Sequence, residues 1–342
     1  MSIFKNIFSV KNIEEYKVLT ILGLRFKIKN KLLCLKKEFY QAIADKNKEF
    51  EYKVCKYMPE EKYSEYLKEW FFLRTGQSLN LDNPVTYNEK IQWMKLYDST
   101  PLKTRLADKY LVRDLVKEKI GEEYLIPLLG AWEKFDDIDF DKLPDKFVLK
   151  ANHGCGWNII VKDKSKLDKE DAKKNFDKWM HTNWAYCAGL ELHYKDIKPL
   201  IIAEEYLENS TDELTDYKVW CFNGKAHFVQ HLCERKTGLK MAFYDRDWNR
   251  LDFVYSYEYN QNNIPRPEKL DKLLELSEKL AQNFAHARVD FYILNDGTIK
   301  FGEITFTSCS GCCKWNIEDT DKRLGDLIDL NYCKQKAEVS EN

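Results

Sequence analysis

An arginine and two acidic residues near the C-terminal end have the types and spacing of a cation and phosphate site. Arg288 and Asp290 are two residues apart in RVDFYI, and Glu303 follows in IKFGEITF after the turn Asn295-Asp-Gly297. Alternation places Arg288 and Asp290 on one face of a strand, and a hairpin brings Glu303 close. Two carboxylates on adjacent strands are hard oxygen ligands for Mg²⁺, which shares its shell with phosphates. Arg288 would stabilise charge on a transferring phosphoryl group.

A glycine loop between two apolar segments is a second phosphate-binding pattern. The segment FVLK ends at Lys150, and Asn152-His-Gly-Cys-Gly156 and the segment NIIV follow it. Glycine has no Cβ, so Gly154 and Gly156 let backbone N–H groups approach phosphate oxygens. The Rossmann fingerprint is excluded because it needs a helix where a strand follows here. Lys109, predicted inside a helix from Leu102 to about Lys119, is another cation suited to phosphate.

Each pattern alone also has an ordinary structural explanation. Lys150 fits a surface lysine at a strand end, and Arg288 with its two acids fits a cross-strand charge cluster. Glu204 and Glu205, at the end of the apolar segment LIIA, fit a solvated strand end. Taken together and in this order along the chain, the patterns favour a nucleotide site.

Two further motifs suggest other chemistry. Asp245-Arg-Asp247 matches the D-x-D metal motif of many glycosyltransferases, but it lies in a polar turn, where Asp is common. Cys309, Cys312 and Cys313 form C-x-x-C-C, which would suit zinc only with a fourth ligand and usually a second paired motif. We therefore interpret the first as a turn and disfavour zinc for the second.

The elements that position these residues are helices followed by antiparallel hairpins. A capping box, Thr86-Tyr-Asn-Glu89, predicts a helix start, and residues 60–120 have helical spacing that stops at Gly76 and breaks again at Asp98–Pro101. After Gly121, short apolar strands alternate with turns, including a hairpin at Asn223-Gly224. An amphipathic helix is predicted over 267–283. The pattern indicates an α+β fold and disfavours a doubly wound sheet.

The length and the charge of the chain limit its possible functions further. The chain has 342 residues, which predicts two domains or one two-lobed fold. Residues 1–37 contain nine Lys and Arg against two Glu, a net charge of +7 that leaves −8 for the rest. We therefore expect no nucleic-acid partner. No apolar run approaches the length of a membrane span, and ten cysteines without a secretory signal indicate a reducing cytoplasm.

The ordered motifs resemble the ATP-grasp superfamily, whose two α+β lobes hold ATP between them. FVLKANHGCGWNIIV is similar to its first strand and phosphate loop, LIIAEEYL to its hinge, and ARVDFYILNDGTIKFGEITF to its metal-binding hairpin. Residues 60–328 resemble the TupA-like ATP-grasp proteins of bacterial surface-polysaccharide loci, through segments such as NPVTYNEKIQWMKLYD and DYKVWCFNGK. The resemblance implies a two-lobed ATP-grasp fold with antiparallel sheets, preceded by a helical N-terminal region.

The resemblance also implies domain boundaries. We expect a basic segment at 1–38, a helical region at 39–120, a first lobe at 121–205, a second lobe at 206–330 and a tail at 331–342.

It implies a role for each matching residue. The cofactor ATP would be bound by cations, loop residues and hinge residues: Lys109, Lys150, Asn152, Gly154, Gly156, Glu204, Glu205, Tyr206, Leu207 and Lys218. Mg²⁺ would be held by Asp290, Glu303 and Thr305, the last of which replaces the Asn of most ATP-grasp ligases. The catalytic groups would be Arg288, Lys150 and Ser310. Since the loop Thr307–Cys313 replaces a Pro-Gly-Ser-Gly type of turn, we interpret C-x-x-C-C as part of a substrate loop in which Ser310 and Gly311 contact an acyl phosphate.

The implied activity is an ATP-dependent carboxylate–amine ligase. It would activate the carboxylate of an acidic sugar, or of its amino-acid substituent, as an acyl phosphate and join it to a small amine. The setting would be capsule or cell-surface polysaccharide modification in bacteria. A polysaccharide glycosyltransferase and an ATP-grasp kinase stay open as alternatives.

The basic segment resembles the N-termini of some bacterial capsule and lipopolysaccharide glycosyltransferases. Arg25–Lys31 alternates basic and apolar residues, which indicates a strand or an interfacial segment. It would hold a cytoplasmic protein on the anionic inner face of the membrane. A solubilising tail or a docking element for a partner explains the same charge equally well.

Deletion of residues 1–37 tests the membrane interpretation. Removing the basic charge should move the protein from the membrane fraction to the soluble fraction without loss of nucleotide binding. Fractionation and a nucleotide-binding assay measure the two effects, and an unchanged distribution would refute the anchor.

Overall fold

The computed structural model describes residues 48–208, 215–233, 240–255, 258–260 and 262–332, and the backbone of 8–13, 16–21 and 24–29. It divides into two compact units, Met1–Asn83 and Pro84–Asn342. Residues 333–342 of the predicted tail lie outside the described residues. In the described part of the chain, no helix combines the length and the apolar character that crossing a bilayer requires.

The described part of the first unit contains an antiparallel sheet and two helices. The strands β1 (Phe8–Ile13), β2 (Tyr16–Ile21) and β3 (Leu24–Lys29) pair in sequence order. Helix α1 spans Lys48–Tyr57 and α2 spans Tyr63–Thr75. Gly76, predicted as a helix stop, ends α2 with a φ of 77°. The side chains of β1–β3 lie outside the description, so membrane anchoring stays a prediction.

The second unit begins with three helices, which differ from the sequence prediction at one point. Helix α3 (Tyr87–Tyr97) starts with the predicted capping box of Thr86 and Glu89. Instead of one helix from Leu102 to about Lys119, the chain forms α4 (Pro101–Ala107) and α5 (Val112–Lys119).

The break between α4 and α5 has a specific cause. Asp108 is extended, with φ −73° and ψ 113°, and its Oδ1 accepts a 2.8 Å hydrogen bond from the Tyr110 N–H. Lys109, whose N–H donates to Asn152 O at 3.1 Å, therefore lies in a turn and not inside a helix. An Asp side chain that bonds the backbone two residues on competes with helix continuation.

The first lobe is a four-stranded antiparallel sheet in the order β4-β7-β5-β6. Its inner face packs Phe147 and Leu149 against Phe176 of the helix α6. Burial alternates along the central strand, as a half-covered antiparallel sheet requires. The bounds are β4 Leu128–Trp132, β5 Phe147–Ala151, β6 Asn158–Val161, α6 Lys169–Met180 and β7 Ile201–Glu205.

The second lobe is a six-stranded sheet in the order β11-β10-β9-β8-β12-β13. Its first hairpin turns at Asn223 and Gly224, whose φ angles of 48° and 74° match the predicted Asn-Gly turn. The amphipathic helix, observed as α7, buries its leucines against one face. The bounds are β8 Asp216–Phe222, β9 Lys225–Cys233, β10 Lys240–Asp245, β11 Glu258–Tyr259, α7 Leu270–Ala281, β12 His286–Ile293, β13 Ile299–Thr305 and the last helix, α8, Thr320–Asp326.

Both faces of this second sheet are covered over most of their area. An aromatic cluster around Trp220 and Phe243 fills the face opposite α7 and includes residues of α3. Charged side chains gather where β8, β12 and β13 run side by side. The fold is thus the expected mixture of helices and antiparallel sheets, with a polar site on the second lobe.

The capping box of α3 generates a stability prediction. Replacing Thr86 by Ala removes the acceptor for the Glu89 N–H and should lower the free energy of unfolding by about 1 kcal/mol. Urea denaturation of the full chain measures the difference. The matched control is Thr86→Ser, which keeps the hydroxyl and should stay within about 0.5 kcal/mol of the wild type. Equal losses in both variants would show that the cap does not stabilise α3.

Candidate active site

Arg288 occupies the centre of the charged cluster on the second lobe. In the β12–β13 pair, Arg288 lies opposite Thr305 and Asp290 lies opposite Glu303. The Arg288 Nε and Nη2 groups donate to the two Asp290 carboxylate oxygens at 2.7 and 2.8 Å. Nη2 also reaches Glu303 Oε1 and Thr305 Oγ1, each at 3.0 Å. The hairpin that the sequence predicted therefore brings all four residues together around one guanidinium.

A change of register in this hairpin keeps the two acids opposite each other. Pairing shifts after Asp290, since Phe291 pairs with Phe301 and Gly302 is the extra residue. A Cβ at Gly302 would approach Asp290 O to 3.1 Å, so glycine suits the close approach of the two strands.

Lys218 completes the cluster from the neighbouring strand. It lies directly opposite Asp290 in the β8–β12 pair and forms an ion pair with Asp290 Oδ2. Burial alone would raise the pKa of Asp290, but the charges of Arg288 and then Lys218 outweigh burial and lower it. Asp290, which is 4% exposed, is therefore an anion held between two cations.

The residues fit a magnesium ion by the chemistry of their donors. Asp290, Glu303 and Thr305 offer two carboxylates and a hydroxyl on adjacent strands, and the Glu303 side chain is 34% exposed. No group of three His, Cys, Asp or Glu side chains suited to a metal exists within the described ranges. Mg²⁺ is commonly bound by one or two carboxylates, with water and phosphates filling its shell. Two carboxylates are thus enough for an ion that arrives with a nucleotide.

The predicted glycine loop of the first lobe is anchored by two residues around the α4–α5 turn. Lys109 Nζ donates to Gly154 O at 2.5 Å. Asn152, fully buried, donates to Asp108 Oδ1 at 2.9 Å and accepts from the Leu200 N–H at 2.7 Å. Asn152 therefore holds the loop in place with its side chain. Gly156 has a φ of 71°, and a Cβ at this position would meet no atom within 4 Å, so the glycine lies in open space.

Lys150 does not stand free at its strand end. Its Nζ bonds Glu204 Oε2 at 2.5 Å, and Arg113 from α5 bonds Glu204 Oε1 at 3.1 Å. The Glu204 side chain is 9% exposed. The hinge carboxylate thus lies between two cations and orients Lys150. Arg113 was missed in the sequence, because nothing local marks its partner 91 positions away.

The other hinge residues lie at the edge of the first lobe. Glu205 ends β7 and is exposed, while Tyr206 and Leu207 follow it half-buried. Adjacent residues of a strand point to opposite faces, so the side chains of Glu204 and Glu205 lie on opposite faces of the sheet. Adenine contacts by Glu204, Glu205, Tyr206 and Leu207 stay predictions.

The loop after β13 forms a left-handed turn. Cys309, Ser310 and Gly311 have φ angles of 50°, 52° and 65°. Arg288 Nη1 reaches Ser308 Oγ at 3.3 Å, so the turn begins beside the charged cluster. The Ser310 hydroxyl is already within 2.8 Å of Glu191 Oε1 and 3.3 Å of Ala188 O. The structure thus uses Ser310 to hold the turn, and its predicted acyl-phosphate contact is not tested by this geometry.

Three buried residues that sequence reasoning missed contact this turn. Lys95 and Gln92 of α3 donate to Ser310 O at 2.7 and 2.8 Å. Glu191 accepts from Thr307, from Ser310 and from the indole of Trp184. On α3, the polar residues Asn88, Gln92 and Lys95 recur at helical spacing, and this pattern could have indicated their shared contact. No pattern in the sequence indicates Glu191.

A comparison with known families identifies the fold. The family model described as TupA-like ATPgrasp matches residues 89–329. The chain belongs to the TupA-like ATP-grasp family. No curated protein matches its sequence.

Solved structures that resemble this ATP-grasp protein include three ligases or synthetases. D-alanine–D-alanine ligase from Bacillus anthracis, complexed with ATP, is 15% identical over 69% of this chain and 65% of its own, with a TM-score of 0.37. L-amino acid ligase from Bacillus licheniformis is 13% identical over 64% and 47%, with a TM-score of 0.40. N5-carboxyaminoimidazole synthetase from Staphylococcus aureus is 15% identical over 58% and 44%, with a TM-score of 0.35. The chain spans less than two thirds of each of these relatives.

The competing motifs have structural explanations in this ATP-grasp protein. Asp245 Oδ1 accepts hydrogen bonds from the Asp247 and Asn249 N–H groups at 2.9 and 2.7 Å, so the D-x-D motif forms a turn as expected. Within the described chain, Cys309 and its two neighbouring cysteines do not join a metal-binding group of three.

The Arg288 cluster predicts different costs for its two acids. Asp290→Asn leaves two buried cations without their shared anion and should lower the free energy of unfolding by about 3 kcal/mol or more. Glu303→Gln, at a more exposed position, should cost about 1 kcal/mol or less. Urea denaturation at pH 7 measures both.

The same pair predicts a pH dependence. The pKa of Asp290 in the folded protein lies below the usual 3.8. The ionised Asp290 therefore contributes to the free energy of unfolding above pH 3.8, and this contribution is lost as the pH falls through the folded pKa. The stability gap between the wild type and Asp290→Asn should therefore narrow in acid. Equal costs for the two variants, or a gap independent of pH, would contradict the pairing.

Proposed function

We propose that this protein is an ATP-dependent carboxylate–amine ligase that modifies an acidic glycan. The observation that carries the proposal is the bidentate Arg288–Asp290 pair, with Glu303 and Thr305 on the same guanidinium. A cation beside two carboxylates suits a phosphoryl group that arrives with its own metal. Membership of the ATP-grasp family supports ATP as the phosphoryl donor.

The proposed reaction has two steps. A substrate carboxylate oxygen attacks the γ-phosphorus of ATP, the bond to the β-phosphate oxygen breaks, and ADP leaves. The amine then attacks the acyl carbon, phosphate leaves, and the amine loses a proton. Mg²⁺ held by Asp290, Glu303 and Thr305 would supply positive charge to the phosphates.

The chain's own groups contribute position and charge to this reaction. Lys150 and Lys218, each already oriented by a buried carboxylate, would contact the phosphates, and Lys109 would do so from the α4–α5 turn, beside the glycine loop. Arg288 would stabilise the transferring group from within the carboxylate cluster. Such fixed charges require no reorganisation as the reaction proceeds.

The glycan substrate is the part of the proposal that rests on the sequence resemblance. The TupA-like segments are similar to proteins of surface-polysaccharide loci, which favours an acidic sugar, or its amino-acid substituent, as the source of the carboxylate. A small amine, such as an amino acid or amino alcohol, would be the second substrate. Recruitment to the membrane by residues 1–37 would bring the enzyme to glycans assembled there.

An ADP-release assay tests the activity. The full chain with Mg-ATP is assayed against a panel of acidic sugars, each with and without a panel of amines. We expect ADP release that requires both a carboxylate and an amine. Glu303→Ala and Lys150→Met should each lower the rate by about a hundredfold or more, since the first removes a ligand of the proposed Mg²⁺ and the second removes a cation that would contact the phosphates.

The controls separate the alternatives. Asp245→Asn removes an acceptor from a turn remote from the charged cluster and should leave the rate within about threefold of the wild type. ADP release with a sugar alone, at a hydroxyl, would indicate a kinase. Transfer from a nucleotide sugar that needs Asp245 and Asp247 but not Glu303 would indicate a glycosyltransferase and refute ligation.

A further inference from the structure

Two buried charges lie behind the turn Ser308–Gly311, which we call the acceptor turn, and the proposed reaction does not use them directly. Lys95 is 0% exposed, and Glu191 is 4% exposed. A buried ionic group costs free energy unless its surroundings compensate for the lost water. Both groups bond this turn, Lys95 through the Ser310 carbonyl and Glu191 through the Ser310 hydroxyl.

Lys95 binds the carbonyl end of the acceptor turn. Its ammonium donates to Ser310 O at 2.7 Å and to Ala188 O at 3.4 Å, and Gln92 adds bonds to Ser310 O and Gly311 O at 2.8 Å each. Burial lowers the pKa of Lys95 to about 8, with the Glu191 charge acting in the opposite direction. The side chain is therefore an ammonium at neutral pH.

Glu191 binds the side chains of the same turn. Its Oε1 accepts from Thr307 Oγ1 at 2.5 Å and from Ser310 Oγ at 2.8 Å, while Oε2 accepts from Trp184 Nε1 at 2.6 Å. Ser310 is thus held through its carbonyl by a cation and through its hydroxyl by an anion. These contacts come from a helix and a segment that lie far from the turn in the sequence.

The acceptor turn needs such support because its backbone is unfavourable. Two non-glycine residues, Cys309 and Ser310, have φ angles of 50° and 52°. This conformation is unfavourable for residues with a Cβ, and such residues persist in it when their surroundings impose it. The conformation also orients the turn. Its carbonyl end faces Lys95, and its amide end begins at Ser308, next to Arg288.

The turn begins beside the charged cluster. Ser308 is fully buried, and its hydroxyl lies 3.3 Å from Arg288 Nη1, while the neighbouring Cys309 is exposed. The position of the turn therefore fixes what lies next to the Arg288 guanidinium.

We propose that Lys95 and Glu191 are positioning residues, which hold the acceptor turn in its left-handed conformation and so keep Ser308 beside Arg288, where the reacting group would bind. The proposal rests on the ligase function for the identity of that group, an acyl phosphate or its oxyanion. Lys95 and Glu191 act through Ser310 and do not touch the substrate.

Hydrogen exchange of the full chain tests the proposal without any substrate. In Lys95→Met the side-chain length is kept and the charge is lost. The amides of Ser310, Cys312 and Cys313, which are bonded in the wild type, should exchange at least tenfold faster. Mg-ADP, measured by calorimetry, should bind with a Kd within twofold of the wild type. Glu191→Gln replaces one carboxylate oxygen by an amide NH₂ group, which is a donor and faces the donors that Glu191 accepts from. This variant should accelerate exchange in the same amides.

Lys90 provides a matched control on the same helix. Its ammonium also donates to two backbone carbonyls, Gly325 O at 2.9 Å and Ile328 O at 2.8 Å, but these belong to the end of α8. Lys90→Met should lower stability and leave exchange in the acceptor turn unchanged. If Lys95→Met does not fold, as its circular dichroism would show, Glu191→Gln alone decides the result.

A rescue separates positioning from simple packing. Glycine accepts positive φ without penalty, so Cys309→Gly removes part of the strain that Lys95 opposes. In the ligase assay, Lys95→Met should lower kcat at least a hundredfold with the ATP KM within threefold. The double variant Lys95→Met/Cys309→Gly should recover at least tenfold.

The outcomes distinguish this proposal from the function on which it rests. Wild-type exchange in both Lys95→Met and Glu191→Gln, or a kcat unaffected by them, or no recovery in the double variant, would overturn the positioning role. A wild-type protein that releases no ADP with any pair of substrates would instead refute the ligase. In that case the exchange results would still decide whether the two charges hold the turn.

Discussion

The pairing of the Arg288 guanidinium with its carboxylates is the interaction on which the rest of the site depends. At 9% exposure Arg288 lies where a charge has lost most of its water, and it is compensated by Asp290, Glu303 and the hydroxyl of Thr305. A buried arginine of this kind requires its partners at fixed positions, because removing one leaves an uncompensated charge. The strand order meets this need. β12 lies between β8 and β13, and Lys218 and Glu303 therefore reach Asp290 and Arg288 from the two sides.

The same design recurs on the first lobe. Lys150 is paired with Glu204 as Lys218 is paired with Asp290, and in each case a neighbouring arginine shares the carboxylate. Neighbouring cations repel one another, and carboxylates placed between them offset this repulsion. An incoming polyphosphate would then meet cations that are already oriented, which is the general advantage of a preorganised site.

The third part of the site depends on support from a distance. The acceptor turn connects to Arg288 at its amide end and to α3 at its carbonyl end, so the helical region that precedes the first lobe takes part in shaping the site. The polar residues of α3 make this contact at regular helical intervals. Asn88 bonds the backbone of Cys313 at 2.9 Å, and Gln92 and Lys95 bond the residues just before it.

Much of the architecture was predictable because its causes are local. The capping box at Thr86, the stop at Gly76, the Asn-Gly turn after β8 and the hairpin from Arg288 to Thr305 each follow from residues within a few positions of one another. The helix through Asp108 was wrongly predicted although one cause of the break is local, the bond from the Tyr110 N–H to the Asp108 side chain. The second contact of that side chain is not local, since Asn152 lies 44 positions further along the chain.

The sequence by itself therefore determined the elements, their order, the family and the charged hairpin, since alternation and turn residues place Arg288, Asp290 and Glu303 together. Only the tertiary structure decided which groups orient them. Glu204 pairs with Arg113 across 91 positions, and Lys95 reaches Ser310 across 215. No periodicity relates residues so far apart, because their contact is set by how the sheets and helices pack.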